Sequence, residues 1–389
     1  MSDFEKKEKT FLNSLSRTKK RKIMEKESLL LEEKEKIPLR YKILNGKISD
    51  STKRYLLEKL NSFSEMSTDS SEYHKLKKFF GIVEKIPFGV YRGLSIKKLK
   101  NFDQKRKFLS RCKDCLDKSI YGQEKAKSSL LEIISKKISN PCGNGNVIGL
   151  IGPPGTGKTS LIKDGLADGL GVPFGFVKLG GSNTPGQIEG FDYTWEGSRW
   201  GKIIDIITRA NCFDPVIYFD ELDKISETKS GEDISSILTH LTDFSQNQTW
   251  EDKYLTGVEI DLSKAVFIFS LNDKNRIPPA LKNRITFVKM EPLTIFDKIN
   301  ISENFLLPKI CERVGFDKKN IIVGNETIKS IIEKYSTDQG MRKVEQALEK
   351  IIMKINYLDM IKLGEENLKQ FLPYQISPET ALEMIDEIL

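Results

Sequence analysis

Histidine and tryptophan are scarce in this chain, at two and three residues in 389. His74 and His240 lie far apart in stretches of helical spacing. They leave little material for a Ser/His/Asp catalytic set or a histidine-rich metal centre. Cysteine is also sparse. Five residues, an odd count, argue for a reducing, cytoplasmic compartment rather than a disulfide framework. The lone CxxC, Cys112 and Cys115, reads as two reduced thiols one helical turn apart rather than a zinc site. No apolar run approaches the length of a membrane span, so no membrane partner is expected. The opening Met1-Ser2-Asp3-Phe4-Glu5-Lys6-Lys7 lacks the apolar core of a secretory signal.

Charge, by contrast, is abundant and unevenly placed. The net charge is +8, with 38% hydrophobic and 30% charged residues, which fits a charge-rich globular protein of two or three domains. Residues 1–118 hold 31 Lys/Arg against 17 Asp/Glu, and the remainder 32 against 38. A basic first third could touch nucleic acid or acidic partners, or it could be a solvated helical region. No aromatic residue interleaves with Lys19-Lys20-Arg21-Lys22, which weakens the nucleic-acid reading.

Periodicity divides the rest. Residues 1–40 read as a basic, helical or partly disordered arm, and 41–117 as a helical region broken at Ile86-Pro87-Phe88-Gly89. Residues 118–292 alternate short apolar runs with helical stretches, the pattern of a parallel sheet flanked by helices. Strands are expected at 147–151, 172–179, 216–219, 265–271 and 285–290. After Pro292 the β-runs stop. Helices at 294–314, 325–335 and 339–361 then form an α-helical subdomain spanning 293–363, with 364–389 as a C-terminal tail. The fold class is α/β.

The most specific motif is Gly152-Pro153-Pro154-Gly155-Thr156-Gly157-Lys158-Thr159, followed by Ser160. It joins the strand Val147–Ile151 to a helix running from Ser160 to Leu170. A glycine-rich turn there aims backbone N–H groups and a helix N-terminus at phosphate oxygens. Lys158 would reach the β/γ-phosphates of ATP, and the Thr159 hydroxyl would ligate Mg²⁺. A second strand, Val216-Ile217-Tyr218-Phe219, ends in Asp220-Glu221. The first acid would order the Mg²⁺ shell, and the second would polarise the attacking water.

With these motifs in place, the chain resembles the ATPase part of the Lon family of AAA+ proteases over about residues 45–362. Ser71-Glu72-Tyr73 and Ile86-Pro87-Phe88-Gly89 resemble the family's SAEY and LPWG landmarks. Ile120-Tyr121-Gly122 is similar to the HYG element beside the adenine, which implies nucleotide contacts for Tyr121 and Gly122. Leu179-Gly180-Gly181 and Ile188-Glu189-Gly190 resemble the LGG and IRG flanking the pore loop. Phe219-Asp220-Glu221-Leu222-Asp223-Lys224 is similar to LDEIDK. Ile277-Pro278-Pro279-Ala280-Leu281-Lys282-Asn283-Arg284 resembles IPPPLLDR, Leu306-Leu307-Pro308-Lys309 matches LLPK, and Gly340-Met341-Arg342 stands where the lid has GVR. The resemblance implies a P-loop AAA+ module with an α-helical lid and a Lon-like pre-motor region. It makes Asn272 the polar residue that helps hold the attacking water. Arg284 becomes the arginine finger for a neighbouring subunit, with Arg276 a rival, and Arg342 the lid arginine that senses nucleotide. A finger acting in trans implies a ring, hence a homo-hexamer.

Tyr193-Thr194-Trp195-Glu196-Gly197 aligns with the pore loop, Trp195 replacing the family's tyrosine. The flanking residues make Trp195 an exposed wedge against an extended polypeptide rather than a core residue. Asp192 and Glu196 make the loop acidic where the family's is basic, which suggests a bias toward basic or neutral client segments. The protease domain and most of the N-terminal substrate domain of Lon have no counterpart here, so no intrinsic peptidase activity is expected. The expected function is ATP-driven remodelling or unfolding of protein clients, as a chaperone-like motor or the partner of a separate peptidase. A nucleic-acid motor using the basic first third and a non-hydrolysing scaffold stand as alternatives.

Overall fold

A computed structural model describes residues 10–11, 13–31, 37–93, 101–140, 147–181, 184–195, 197–225, 228–336, 339–362 and 373–386. The residues before Thr10, Cys142, Glu196 and positions 94–100 of the region expected to be helical lie outside them. Two compact units are present, residues 1–46 and 47–389. The first contains helices α1 (Arg17–Leu31), which carries the basic run, and α2 (Leu39–Asn45).

The second unit opens with α3 (Asp50–Glu65) and α4 (Ser71–Val83). Each starts at a serine N-cap: Ser49 accepts from the Thr52 N–H and Ser70 from the Tyr73 N–H, satisfying donors that a helix leaves open. Phe63 and Tyr73 stack at 4.9 Å and join the two helices. Beyond the turn at Gly89, the Asp214 carboxylate accepts from the Arg92 and Gly93 N–H groups at 2.8 and 2.6 Å. This pins the helical region to the sheet.

That sheet has five parallel strands: β1 (Val147–Ile151), β2 (Phe174–Lys178), β3 (Val216–Asp220), β4 (Val266–Leu271) and β5 (Thr286–Lys289). Their spatial order is β2-β3-β4-β1-β5. The central strands are covered on both faces, which is why they read as unbroken apolar runs rather than alternations. On one face Ile148, Leu150, Tyr218 and Ile268 pack with α5 (Phe102–Ser119), α6 (Glu124–Ser139) and α7 (residues 158–170). Residues of opposite parity, Ile217, Phe219, Phe267 and Phe269, are equally buried. The sheet is further flanked by α8 (Lys202–Ala210) and α9 (Lys229–Thr242). Cys112 is buried on α5 and packs on Gly169 of α7, and burial pushes its thiol up to about 12. A thiol so buried is inert packing.

The lid consists of α10 (residues 295–314), α11 (Asn325–Tyr335), α12 (Arg342–Lys362) and α13 (Pro378–Asp386). Its core includes Ile310, Ile328, Ile331, Val344, Leu348, Ile351 and Ala381. The expectation that β-structure stops after Pro292 is corrected. Ile321–Val323 (β6) and Tyr374–Ile376 (β7) pair in parallel within the lid. Three-residue strands separated by some fifty residues carry too little periodicity to be read from sequence. Ile376, Ala381 and Ile385 belong to the lid core, so residues 374–386 of the supposed tail are a structural part of the lid.

Candidate functional site

Strand order builds the site. β1 lies beside β4, and β4 beside β3, all parallel. The loop after β1, the acids ending β3 and Asn272 after β4 therefore meet at one end of the sheet, where open α/β folds bind ligands.

Within the phosphate loop, Gly157 sits at φ +89°, a left-handed conformation in which a side chain is strained. A Cβ there would also lie 2.9 Å from Ile120, the residue preceding Tyr121 and Gly122. The Thr156 hydroxyl donates to the Pro153 carbonyl at 2.9 Å and tightens the turn. Lys158 and Thr159 begin α7, with Ser160 in the same first turn. Lys158 Nζ donates to the carbonyls of Gly152 and Pro153 and, at 3.0 Å, to Asn272 Oδ1. Burial pulls the Lys158 ammonium below its ordinary range, against the opposing pull of Asp223 and Asp220.

Asp220 and Glu221 diverge as expected for strand-end neighbours. Asp220 Oδ1 accepts from the Ser270 hydroxyl, and the same Ser270 oxygen accepts from the Glu221 N–H at 3.0 Å. Glu221 itself adopts φ +62°, uncommon for a non-glycine residue and a mark of functional constraint. Its carboxylate pairs with Lys224 and lies against Gly180, where a Cβ would fall 2.1 Å from Oε2. Asn272 is held through its backbone: Asp223 Oδ2 accepts from the N–H groups of Asn272 and Asp273 at 3.0 and 3.1 Å. Sequence reasoning assigned no role to Ser270 or Asp223. Asp223 had a signal, two residues after the acid pair, whereas nothing in the local pattern marks Ser270 inside its apolar strand.

The lid closes over the loop. The Met341 N–H donates to the Gly155 carbonyl at 3.0 Å, and the Pro154 carbonyl abuts Gly340. Arg342 follows as the exposed first residue of α12. Tyr121 lies beside Phe305 of α10 at 6.4 Å, and Gly122 takes φ +64°. Gln123 ties this corner down by exchanging two hydrogen bonds with the backbone of Glu291. Residues able to bind base, phosphate and cation thus converge: the loop supplies backbone N–H groups, and Thr159 and Asp220 supply the oxygen donors that a magnesium ion takes.

Three expected residues, Arg284, its rival Arg276 and Trp195, lie apart from this cluster. Arg284 donates to Asp243 Oδ2 at 2.8 Å and to the Ala280 carbonyl at 2.7 Å. Hydrogen bonds from Ser245 and Arg284 hold Asp243 down at about 2. Arg276 lines a separate cleft of about 480 Å³ with Glu232, Thr239 and Pro278. Trp195 is 71% exposed, so the core alternative for it is excluded. Its loop is strapped at the base. Lys75 Nζ donates to the Thr194 carbonyl and Lys78 Nζ to the Ser198 carbonyl, at 2.5 and 2.6 Å. Lys59 Nζ sits 4.1 Å from the Tyr193 ring centre, within cation–π range. Asp252, fully buried, accepts from the Gly201 and Tyr254 N–H groups at 2.8 and 2.9 Å and closes the far side of the loop. Asp192 accepts from the Thr194 N–H and hydroxyl, so its carboxylate shapes the turn.

Strand order, phosphate loop, acid pair and lid together define an AAA+ ATPase module. A profile of the ATPase family associated with various cellular activities (AAA) matches residues 148–292. A profile of the parvovirus non-structural protein NS1 matches residues 32–186, and the two share β1 and the phosphate loop. Among curated proteins, a Lon protease homolog of Acanthamoeba polyphaga mimivirus is 33% identical over 83% of this chain and 32% of its own length. The mitochondrial Lon protease homolog 1 of Dictyostelium discoideum is 33% identical over 84% of this chain and 33% of its own. Lon protease of Clostridioides difficile (strain 630) is 31% identical over 81% and 38%. The chain is a Lon-family AAA+ ATPase module, and it spans about a third of the length of these relatives.

Proposed function

We propose that this chain hydrolyses ATP and uses the cycle to drive the Trp195 loop against extended polypeptide in a ring of identical subunits. Glu221 would orient and polarise the attacking water, with its backbone anchored on Ser270 and its headgroup seated against Gly180. Asn272, fixed by Asp223, would hold that water from the neighbouring strand end. Lys158 and the loop N–H groups would bind the phosphates. A magnesium ion held by Thr159 and Asp220 would neutralise phosphate charge. Arg284, the finger of the motif, would exchange its Asp243 partner for a neighbouring subunit's γ-phosphate, and Arg342 would report nucleotide state to the lid. Tyr121 and Gly122 would border the adenine.

The observation that carries the protein-remodelling reading is the 71% exposed Trp195, on a loop strapped by lysines of α3 and α4 and by Asp252. An exposed aromatic on an anchored loop can grip a chain without reading its sequence. The clients are unfolded or loosely folded proteins, with preference for basic or neutral segments. Peptide cleavage is not an activity of these 389 residues, and a separate peptidase would act downstream. A reducing, cytoplasmic setting suits the four free thiols among the described residues. Among those residues, no helix is long and apolar enough to cross a membrane.

The test is ATP turnover with casein, duplex DNA or RNA added. Stimulation by casein that is lost in Trp195→Ala supports the proposal. Stimulation by nucleic acid alone, with a steep salt dependence, would transfer it to the basic first third. Labelled casein should remain uncut throughout.

A further inference from the structure

Tyr218 stands in the middle of β3, fully buried, with Phe174 and Phe176 each 5.9 Å away. An aliphatic residue would satisfy such a position, so the buried hydroxyl calls for a reason. That hydroxyl accepts from Thr159 Oγ1 at 3.3 Å. Ser270 Oγ donates to Asp220 Oδ1 and accepts from the Glu221 N–H. Each hydroxyl has one proton to give. The Thr159 proton goes to Tyr218 and the Ser270 proton to Asp220.

We propose that Tyr218 and Ser270 are positioning residues for the divalent cation, fixing its two ligands Thr159 and Asp220 from inside the sheet. With the Thr159 proton committed to Tyr218, the Thr159 oxygen keeps a lone pair for a metal. With Asp220 Oδ1 held by Ser270, Oδ2 is left for the same task. The Ser270 oxygen also fixes the Glu221 backbone, so this one buried hydroxyl sets both a metal ligand and the anchor of the water-polarising acid. This rests on the ATPase reading above.

The experiment is a Mg²⁺ titration of thermal stability at saturating ADP, with ATP turnover followed in parallel. ADP binding in EDTA serves as the reference that a merely structural loss would lower. Tyr218→Phe keeps the packing and removes the hydroxyl. It should raise the Mg²⁺ concentration for half-maximal stabilisation about fivefold, the equivalent of about 1 kcal/mol for one hydrogen bond. Ser270→Ala should raise it at least as far, and Ser270→Thr, which restores the hydroxyl, should return it toward the wild-type value. Superimposable Mg²⁺ titrations for wild type, Tyr218→Phe and Ser270→Ala would overturn the proposal. If Tyr218→Phe does not fold, the Ser270→Ala and Ser270→Thr pair decides. Wild-type chain that binds no ADP with Mg²⁺ present would instead remove the ATPase reading beneath it.

Discussion

Substituting Gly180 by alanine separates catalysis from stability at this site. The added methyl would lie 2.1 Å from Glu221 Oε2, 3.1 Å from its Cδ and 3.2 Å from its Cβ. An ordinary carbon–oxygen contact is about 3.3 Å or longer, so the Glu221 headgroup must retreat by about 1 Å. Gly180 does not have a positive φ, so alanine itself fits the backbone. The cost falls on the position of Glu221. A misplacement of about 1 Å in a reacting group can cost about 10²-fold in rate, so kcat should fall between about 10- and 100-fold while KM for ATP moves little. Gly181→Ala is the control. Gly181 has φ +77°, so alanine strains the backbone, yet nothing lies within 4 Å of the new methyl. It should cost about 1 kcal/mol of stability and leave kcat within about threefold, because no reacting group is displaced. Steady-state ATPase kinetics and urea unfolding of both variants make the comparison. If Gly180→Ala keeps kcat within a factor of two, Glu221 is not the water-polarising group in the position described.

Three further outcomes follow from the geometry. Arg284→Ala should lower kcat by about 10³-fold or more, and mixing it with Lys158→Ala subunits should restore part of the lost turnover if the arginine serves a neighbour. Recovery no greater than the sum of the separate variants would refute a trans role. Lys75→Ala with Lys78→Ala removes both straps on the Trp195 loop, and should abolish casein stimulation of ATP turnover; stimulation equal to wild type would show that α4 does not restrain the loop. Asp252 provides a pH signature. Burial raises it to about 7 from 3.8, so the folded chain binds the extra proton and this group's stabilisation is present below about pH 4 and lost as pH rises to about 7. The span is at most about 4 kcal/mol. Unfolding midpoints at pH 5 and pH 8 should differ less in Asp252→Asn than in wild type.

Local structure was legible wherever it is written in consecutive residues. The phosphate loop from Gly152 to Thr159, the Asp220-Glu221 pair and all five strands of the main sheet fell where apolar runs and turn residues placed them. The lid helices were legible for the same reason, since 3–4 spacing survives in any single amphipathic element. Its two short strands were not. Ile321–Val323 becomes a strand only because Tyr374–Ile376 pairs with it, and pairing at such a separation leaves no local trace.

What the sequence determined by itself was therefore the class: an α/β nucleotide-binding module with a helical lid, with its candidate site residues at the ends of neighbouring strands. Only the tertiary structure decided which groups hold those residues in place. Ser270 and Tyr218 look like any two members of apolar strands until β3 and β4 lie side by side and α7 brings Thr159 over them. Gly180 looks like a loop glycine until Glu221 takes the space its missing side chain leaves. Hydrogen bonds between distant segments depend on a few tenths of an ångström and an orientation, and neither is encoded in a residue's immediate neighbours.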